Sequence, residues 1–261
     1  LAMAERGACV ALGARSFSAL ESLANQIRAA GGDVLAAPTD VSQPAEVERL
    51  VKETLTRWGQ IDILVANAGQ YIRCPFARLT AAEIERSMAV NFYGGVYATL
   101  AVLPHMTSRR SGHIVFVTSF AAKKGLPSDA PYVVAKYALS GFGEVLRQEL
   151  HGTGVSVSTI YPGRVDTPMI AHLQVPWISA KISAEAVAQA IVRAVQRKQP
   201  EVILPPQTKL LYYLNVFSPG LADWAVRLLH LDGWEQAGPG MQTLQSGGEI
   251  LSSLGEKENQ R

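Results

Sequence analysis

The sequence predicts an α/β domain with a doubly wound parallel sheet in a three-layer α/β/α arrangement. Three observations predict it. Six short, almost unbroken apolar runs are spread along the chain, as strands buried on both faces require. Amphipathic segments of helical period separate them. Connections are short and the alternation is strict, which favours parallel strands joined by crossover helices.

The elements follow in order. Leu1–Gly7 reads as the tail of a preceding helix, and the first apolar run is Ala8–Leu12. A helix over Phe17–Ala30 leads to the strand Val34–Ala37, and a second helix, Ala45–Trp58, leads to Ile61–Ala66. A long helical pattern, Ala81–His105, starts at a capping box formed by Thr80 and Glu83. The strand His113–Thr118, the helix Pro131–His151 and the strand Val155–Ile160 come next. Ser183 and Glu185 place a cap and an acid at the start of Ala184–Arg197, which precedes the strand Val202–Leu204. This divides the chain into a main domain, 1–205, an apolar helical extension, 206–235, and a polar, glycine-rich stretch, 236–261, that reads as a mobile tail.

Composition narrows the function. A chain of 261 residues, 48% hydrophobic, with mean hydropathy +0.11, can bury one large core. Its net charge is only +2, with bases and acids interspersed, which argues against a nucleic-acid partner. Two cysteines, Cys9 and Cys74, without a CxxC pair, suggest a reducing compartment such as the cytoplasm and no metal site. The most apolar C-terminal stretches are interrupted by Pro219, Asp223 and Arg227, so no transmembrane helix is expected.

The sharpest chemical signal is Tyr132-Val-Val-Ala-Lys136, inside a helical pattern. A spacing of four puts both side chains on one helix face. A phenol with an ordinary pKa near 10 becomes a usable acid-base group when a nearby ammonium favours its ionised form. Taken alone the pair reads first as two surface side chains. However, Ser119 ends the strand His113–Thr118 thirteen residues before Tyr132, and Asn91 lies within the long helical pattern. In order, type and spacing, Asn91, Ser119, Tyr132 and Lys136 resemble the catalytic tetrad of the short-chain dehydrogenase/reductase family. That resemblance implies a Rossmann-like fold and hydride transfer between a nicotinamide cofactor and a carbonyl or alcohol. It implies that Tyr132 carries the proton at the carbonyl oxygen and Ser119 hydrogen-bonds that oxygen. Lys136 would lower the Tyr132 pKa and hold the nicotinamide ribose, and Asn91 would link Lys136 to a water chain.

Other segments extend the resemblance. Asn67-Ala68-Gly69 matches a family turn that faces the adenosine ribose, with Ala66 in place of a first Asn; an ordinary turn is compatible with it too. Asp40-Val41 matches an adenine-binding position, or else Asp40 is a plain helix cap. Pro162-Gly163-Arg164-Val165-Asp166-Thr167 follows a buried strand and matches a Pro-Gly loop that meets the nicotinamide carboxamide. Arg15-Ser16 follows the first apolar run where an acid would select NAD. With no carboxylate there, a guanidinium can grip a 2′-phosphate, so NADP is favoured over NAD; a solvent-facing arginine is the alternative.

One family feature is missing. The resemblance calls for a first strand and a glycine-rich turn at the pyrophosphate, and neither precedes Ala8. Since a βαβ unit needs about 30 residues, roughly 15 to 25 have been lost, and the chain is expected to be a fragment whose missing strand leaves two neighbours unpaired. The extension carries Leu210, Leu211, Tyr212, Tyr213, Leu214 and Phe217, then Leu221, Trp224, Leu228 and Leu229. It is expected to form a lid, a subunit interface, or an amphipathic pair resting on a membrane through Lys209 and Arg227. With the apolar segment Pro168–Ile182 it suggests an apolar carbonyl or secondary alcohol as substrate. The family usually forms homodimers or homotetramers through its long helices. Remaining alternatives are an epimerase or dehydratase using the same Tyr-Lys pair, and a non-catalytic dinucleotide-sensing or interaction protein of this fold.

Overall fold

The computed structural model describes residues 1–235; the expected tail, 236–261, lies outside them. The elements are β1 (Val10–Ala14), α1 (Phe17–Ala29), β2 (Val34–Pro38), α2 (Pro44–Trp58), β3 (Ile63–Ala66), α3 (Ala81–Met88), α4 (Gly94–Ser108), β4 (Gly112–Val117), α5 (Ala130–Glu149) and β5 (Val155–Pro162). There follow β6 (Leu173–Gln174), α6 (Ala184–Arg197), β7 (Glu201–Leu204), α7 (Thr208–Phe217), α8 (Pro219–Leu228) and β8 (Trp234–Glu235).

Local chemistry explains the helix starts. Ser16 accepts from the Ala19 amide at the head of α1, Thr80 from Glu83 at α3, and Ser183 from Ala186 at α6. Gly59, at φ +74°, closes α2 in the left-handed conformation that glycine adopts without strain.

The alternation of side chains along the strands sorts the helices into two layers. Ile114 and Phe116 of β4 pack against Val102 and Met106 of α4 and Leu139 and Leu146 of α5. Val115, between them, faces the other way, onto Ala194 of α6 with Ile160 of β5. In the same sense Val10 and Leu12 meet Ala24 and Ile27 of α1, while a Cβ on Gly13 would strike Leu50 of α2 at 2.5 Å. Thus α2, α4 and α5 cover one face and α1 and α6 the other, giving the Rossmann-like α/β/α sandwich.

All pairings within the main sheet are parallel, but the sheet is in two pieces. One has the order β2-β1 and the other β3-β4-β5-β7. Among the described residues no backbone hydrogen bond joins β1 to β3, so each presents an open edge to the other. Val65 of β3 is 36% exposed, whereas Val115 beside it on β4 is fully buried.

Two expected boundaries shift. The first strand runs Val10–Ala14 rather than Ala8–Leu12, so it leads straight into Arg15. The expected helix Ala81–His105 is two helices, α3 and α4, joined by a π-helical turn over Ala89–Tyr93. Asn91 sits in that turn. The expected extension forms α7 and α8, which dock through Lys124: its buried ammonium donates to Asn215 at 2.9 Å and pairs with Asp223. No helix among the described residues is long and apolar enough to cross a membrane.

Candidate active site

β4 ends at Val117 and the chain turns at Ser119, whose hydroxyl accepts from the Ala121 amide at 3.1 Å. α5 then brings Tyr132 and Lys136 back over this strand end. Lys136 is buried, donates to the Val117 carbonyl at 3.1 Å, and has its ammonium 5.7 Å from the Tyr132 ring centre. Burial pushes the Tyr132 phenol up to about 12; a hydrogen bond with Ser119 lowers it and the Asp129 carboxylate raises it. Burial also pulls Lys136 down to about 8. The structure therefore brings Ser119, Tyr132 and Lys136 together, at the carboxyl end of a parallel strand where such sheets open into their sites.

Asn91 is 1% exposed. Its amide nitrogen donates to the carbonyl of Gln70 at 2.9 Å and to Ser87, and its oxygen accepts from the Gln70 amide at 3.1 Å. It thereby fastens the loop that leaves β3. A Cβ on Gly69 would come within 2.8 Å of the Asn91 oxygen and 3.5 Å of the Lys136 nitrogen, so this turn passes close to both and needs its glycine. Asn91 is next to Lys136 across that glycine rather than bonded to it. The preceding Asn67 and Ala68 lie at the open edge of β3.

On the other side of the gap, Arg15 and Ser16 are exposed at the end of β1, where Ser16 caps α1. Asp40 accepts from the Ser42 amide and hydroxyl at 2.9 and 2.8 Å, and these bonds, with Arg15 nearby, hold its carboxyl below the usual range. Val41 lies against α4, where a Cβ on Gly94 would meet its Cγ2 at 2.7 Å. The loop after β5 is tied to β7: Gly163 donates to the Leu204 carbonyl, and any Cβ on it would approach that oxygen to 3.2 Å. Val165 bridges to Ile182, and the Thr167 hydroxyl donates to the Val165 carbonyl at 3.3 Å.

Tyr71, Arg73 and Asp129 carry no site signal in the sequence, and Arg164 is legible only as part of the Pro-Gly loop. The Tyr71 ring stands edge-on to Tyr132 at 5.1 Å and its hydroxyl donates to Asp129 at 2.7 Å. The four come from three segments with no shared spacing, Tyr71 and Arg73 from the same loop, and Asp129, just before Ala130-Pro131, resembles an ordinary helix cap.

A half-buried phenol and hydroxyl and a buried ammonium meet at the carboxyl end of a parallel strand, an arrangement able to move a proton. The family model for short chain dehydrogenase matches residues 1–175. The chain is 35% identical to the ketoacyl reductase HetN of Nostoc sp., over 85% of this chain and 80% of that protein. It is also 35% identical to 11-beta-hydroxysteroid dehydrogenase 1A of Arabidopsis thaliana, over 87% of this chain and 70% of that protein. Among solved structures, an alcohol dehydrogenase from the archaeon Thermococcus sibiricus, complexed with 5-hydroxy-NADP, superposes with a TM-score of 0.70 at 28% identity, covering 78% of this chain and 88% of that one. The protein belongs to the short-chain dehydrogenase family, a family of oxidoreductases.

Proposed function

We propose that the protein transfers hydride between NADP(H) and an apolar carbonyl compound or secondary alcohol. The carrying observation is the placing of Ser119, Tyr132 and Lys136 around one strand end. Tyr132 hands a proton to the carbonyl oxygen in reduction and takes it back in oxidation. Ser119 donates a hydrogen bond to the same oxygen as negative charge gathers there. The Lys136 ammonium holds the nicotinamide ribose; the expected lowering of the Tyr132 phenol by this lysine is outweighed by burial, which keeps that phenol above its ordinary range. Asn91 secures the loop through Gln70 that leads past Lys136.

A bound dinucleotide supplies or accepts the hydride. By resemblance to the family, Lys136, Tyr132 and the loop Pro162, Gly163, Val165 and Thr167 would hold its nicotinamide half. At the adenosine end, Asp40, Val41, Asn67, Ala68 and Gly69 flank the gap between β1 and β3. Arg15, with no acid next to it in sequence at the end of β1, supports NADP over NAD. The described residues offer no glycine turn for the pyrophosphate. The open edges of β1 and β3 support completion of the sheet by a further parallel strand carrying that turn.

Exposed Met169 and Trp177 in the segment after β5, and the ridge Leu210, Phe217, Leu221 and Trp224 on α7 and α8, support an apolar substrate and a peripheral membrane or subunit contact. Leu100 on α4 and Val134, Tyr137 and Val145 on α5 are also exposed, which supports a homodimer or homotetramer through these helices.

Fluorescence titration with NADPH and NADH, on this chain and on a form extended upstream, tests the reading. The extended form should bind NADPH tightly, and Arg15→Ala should weaken NADPH by roughly 10- to 100-fold while sparing NADH, the loss of a charged hydrogen bond. No binding by either form would favour a non-catalytic protein of this fold.

A further inference from the structure

Asp129 occupies the cap position of α5 yet caps nothing: its side chain makes no bond to the helix amides. The carboxylate, on a residue only 4% exposed, is turned away into a cluster. Its Oδ1 accepts the Tyr71 hydroxyl at 2.7 Å and lies 3.4 Å from Nε of Arg73. Both groups converge on one oxygen, and the phenol wins it: Arg73 Nε is buried with no hydrogen-bond partner among the described residues. Arg164 is close enough to Asp129 for its charge to act on that carboxyl. The two guanidiniums reach outward to the chain's last described turn, Arg164 to the Leu231 carbonyl and Ser179 and Arg73 to the Asp232 carbonyl. The inner side of the cluster is Tyr71, packed edge-on against Tyr132.

A buried carboxylate needs a counter-charge, and its diversion from the helix cap forgoes a stabilising bond. We propose that Asp129, balanced by Arg73 and Arg164, is a positioning residue for Tyr132, setting the electrostatic field in which that phenol gives up its proton. This rests on Tyr132 being the proton-carrying group. Around it lie Ser119 from the turn after β4, Lys136 from α5 with Asp129 at its cap, and Tyr71 from the loop after β3, with Arg73, Arg164 and Asp232 behind Asp129. Removing the carboxylate favours the phenolate, whereas removing a guanidinium leaves the carboxylate uncompensated and disfavours it.

The test is the titration midpoint of residue 132 itself. Difluorotyrosine placed at that position alone titrates within the range a fold tolerates and reports by fluorine NMR, without dinucleotide. Asp129→Asn should lower the midpoint by about one pH unit and Arg73→Gln should raise it, with the double variant between them. Arg73→Lys should restore the native value, and Arg73→Met replaces Arg73→Gln if the latter folds poorly. A merely structural cluster would, when damaged, admit water and move both variants the same way. Shifts of one sign, or none, overturn the proposal. If the midpoints separate but NADPH does not bind to the extended form, the proposed reaction fails and the role of Asp129 stands. If NADPH binds but the midpoints do not separate, the role of Asp129 fails and the proposed reaction stands.

Discussion

Tyr132 and Lys136 are displaced from their ordinary titration ranges in opposite directions, and the displacement has consequences for stability. Lys136 titrates near 8 in the fold and near 10.4 when unfolded. Between those values the unfolded chain holds a proton that the folded chain lacks, so stability rises with pH. The gain is about 3 kcal/mol. Tyr132 acts oppositely: from about 10 to about 12 the folded chain keeps a proton the unfolded chain has released, so stability falls. Urea unfolding of Lys136→Met should lack the rise between pH 8 and 10, and retention of the rise would refute burial as its cause. In the extended enzyme, Tyr132→Phe should lower kcat by about 100-fold or more, with folding unchanged. At this scale Ser119, Tyr132 and Lys136 were readable from their resemblance to a family tetrad, and a strand end and one helix face bring them together. Asp129 and its arginines were not, because contacts among separate loops leave no period in the chain.

At the scale of elements, the junction of α3 and α4 carries the most information. Apolar periodicity runs through Ala81–His105 without a break, so periodicity alone merges two helices. The π turn arises where Asn91 bonds backward to Ser87 and sideways to both backbone groups of Gln70. Such turns often mark functional positions within helices. Asn91→Ala would leave the buried polar groups of Gln70 and Ser87 without their partner and cost about 1–3 kcal/mol. Chemical denaturation should show that loss, and a smaller loss in Asn91→Asp, which retains the acceptor for the Gln70 amide. A stability change within error for Asn91→Ala would mean water replaces the side chain. The helix starts at Ser16, Thr80 and Ser183, by contrast, are local hydrogen-bond chemistry and could be placed from sequence.

For the whole molecule, the dominant feature is a parallel sheet in two halves, held together by α2 packing on α4 rather than by strand pairing. Open edges expose backbone groups that a neighbouring strand would otherwise satisfy. Hydrogen exchange should therefore be fast at β1 and β3 in this chain and slow at β4 and β5. Addition of the upstream segment should protect β1 and β3 together; protection of neither would show that the gap is not the seat of another strand.

The order of strands and helices and the α/β class were determined by the sequence alone, because they rest on periodicity along one or two adjacent elements, and Ser119, Tyr132 and Lys136 were marked out by their resemblance to a family's tetrad. The π turn at Asn91 and the Asp129 cluster beside Tyr132 were decided by tertiary structure. They depend on which distant segments meet, and hydrogen bonds between residues 21 to 159 positions apart have no signature in local pattern.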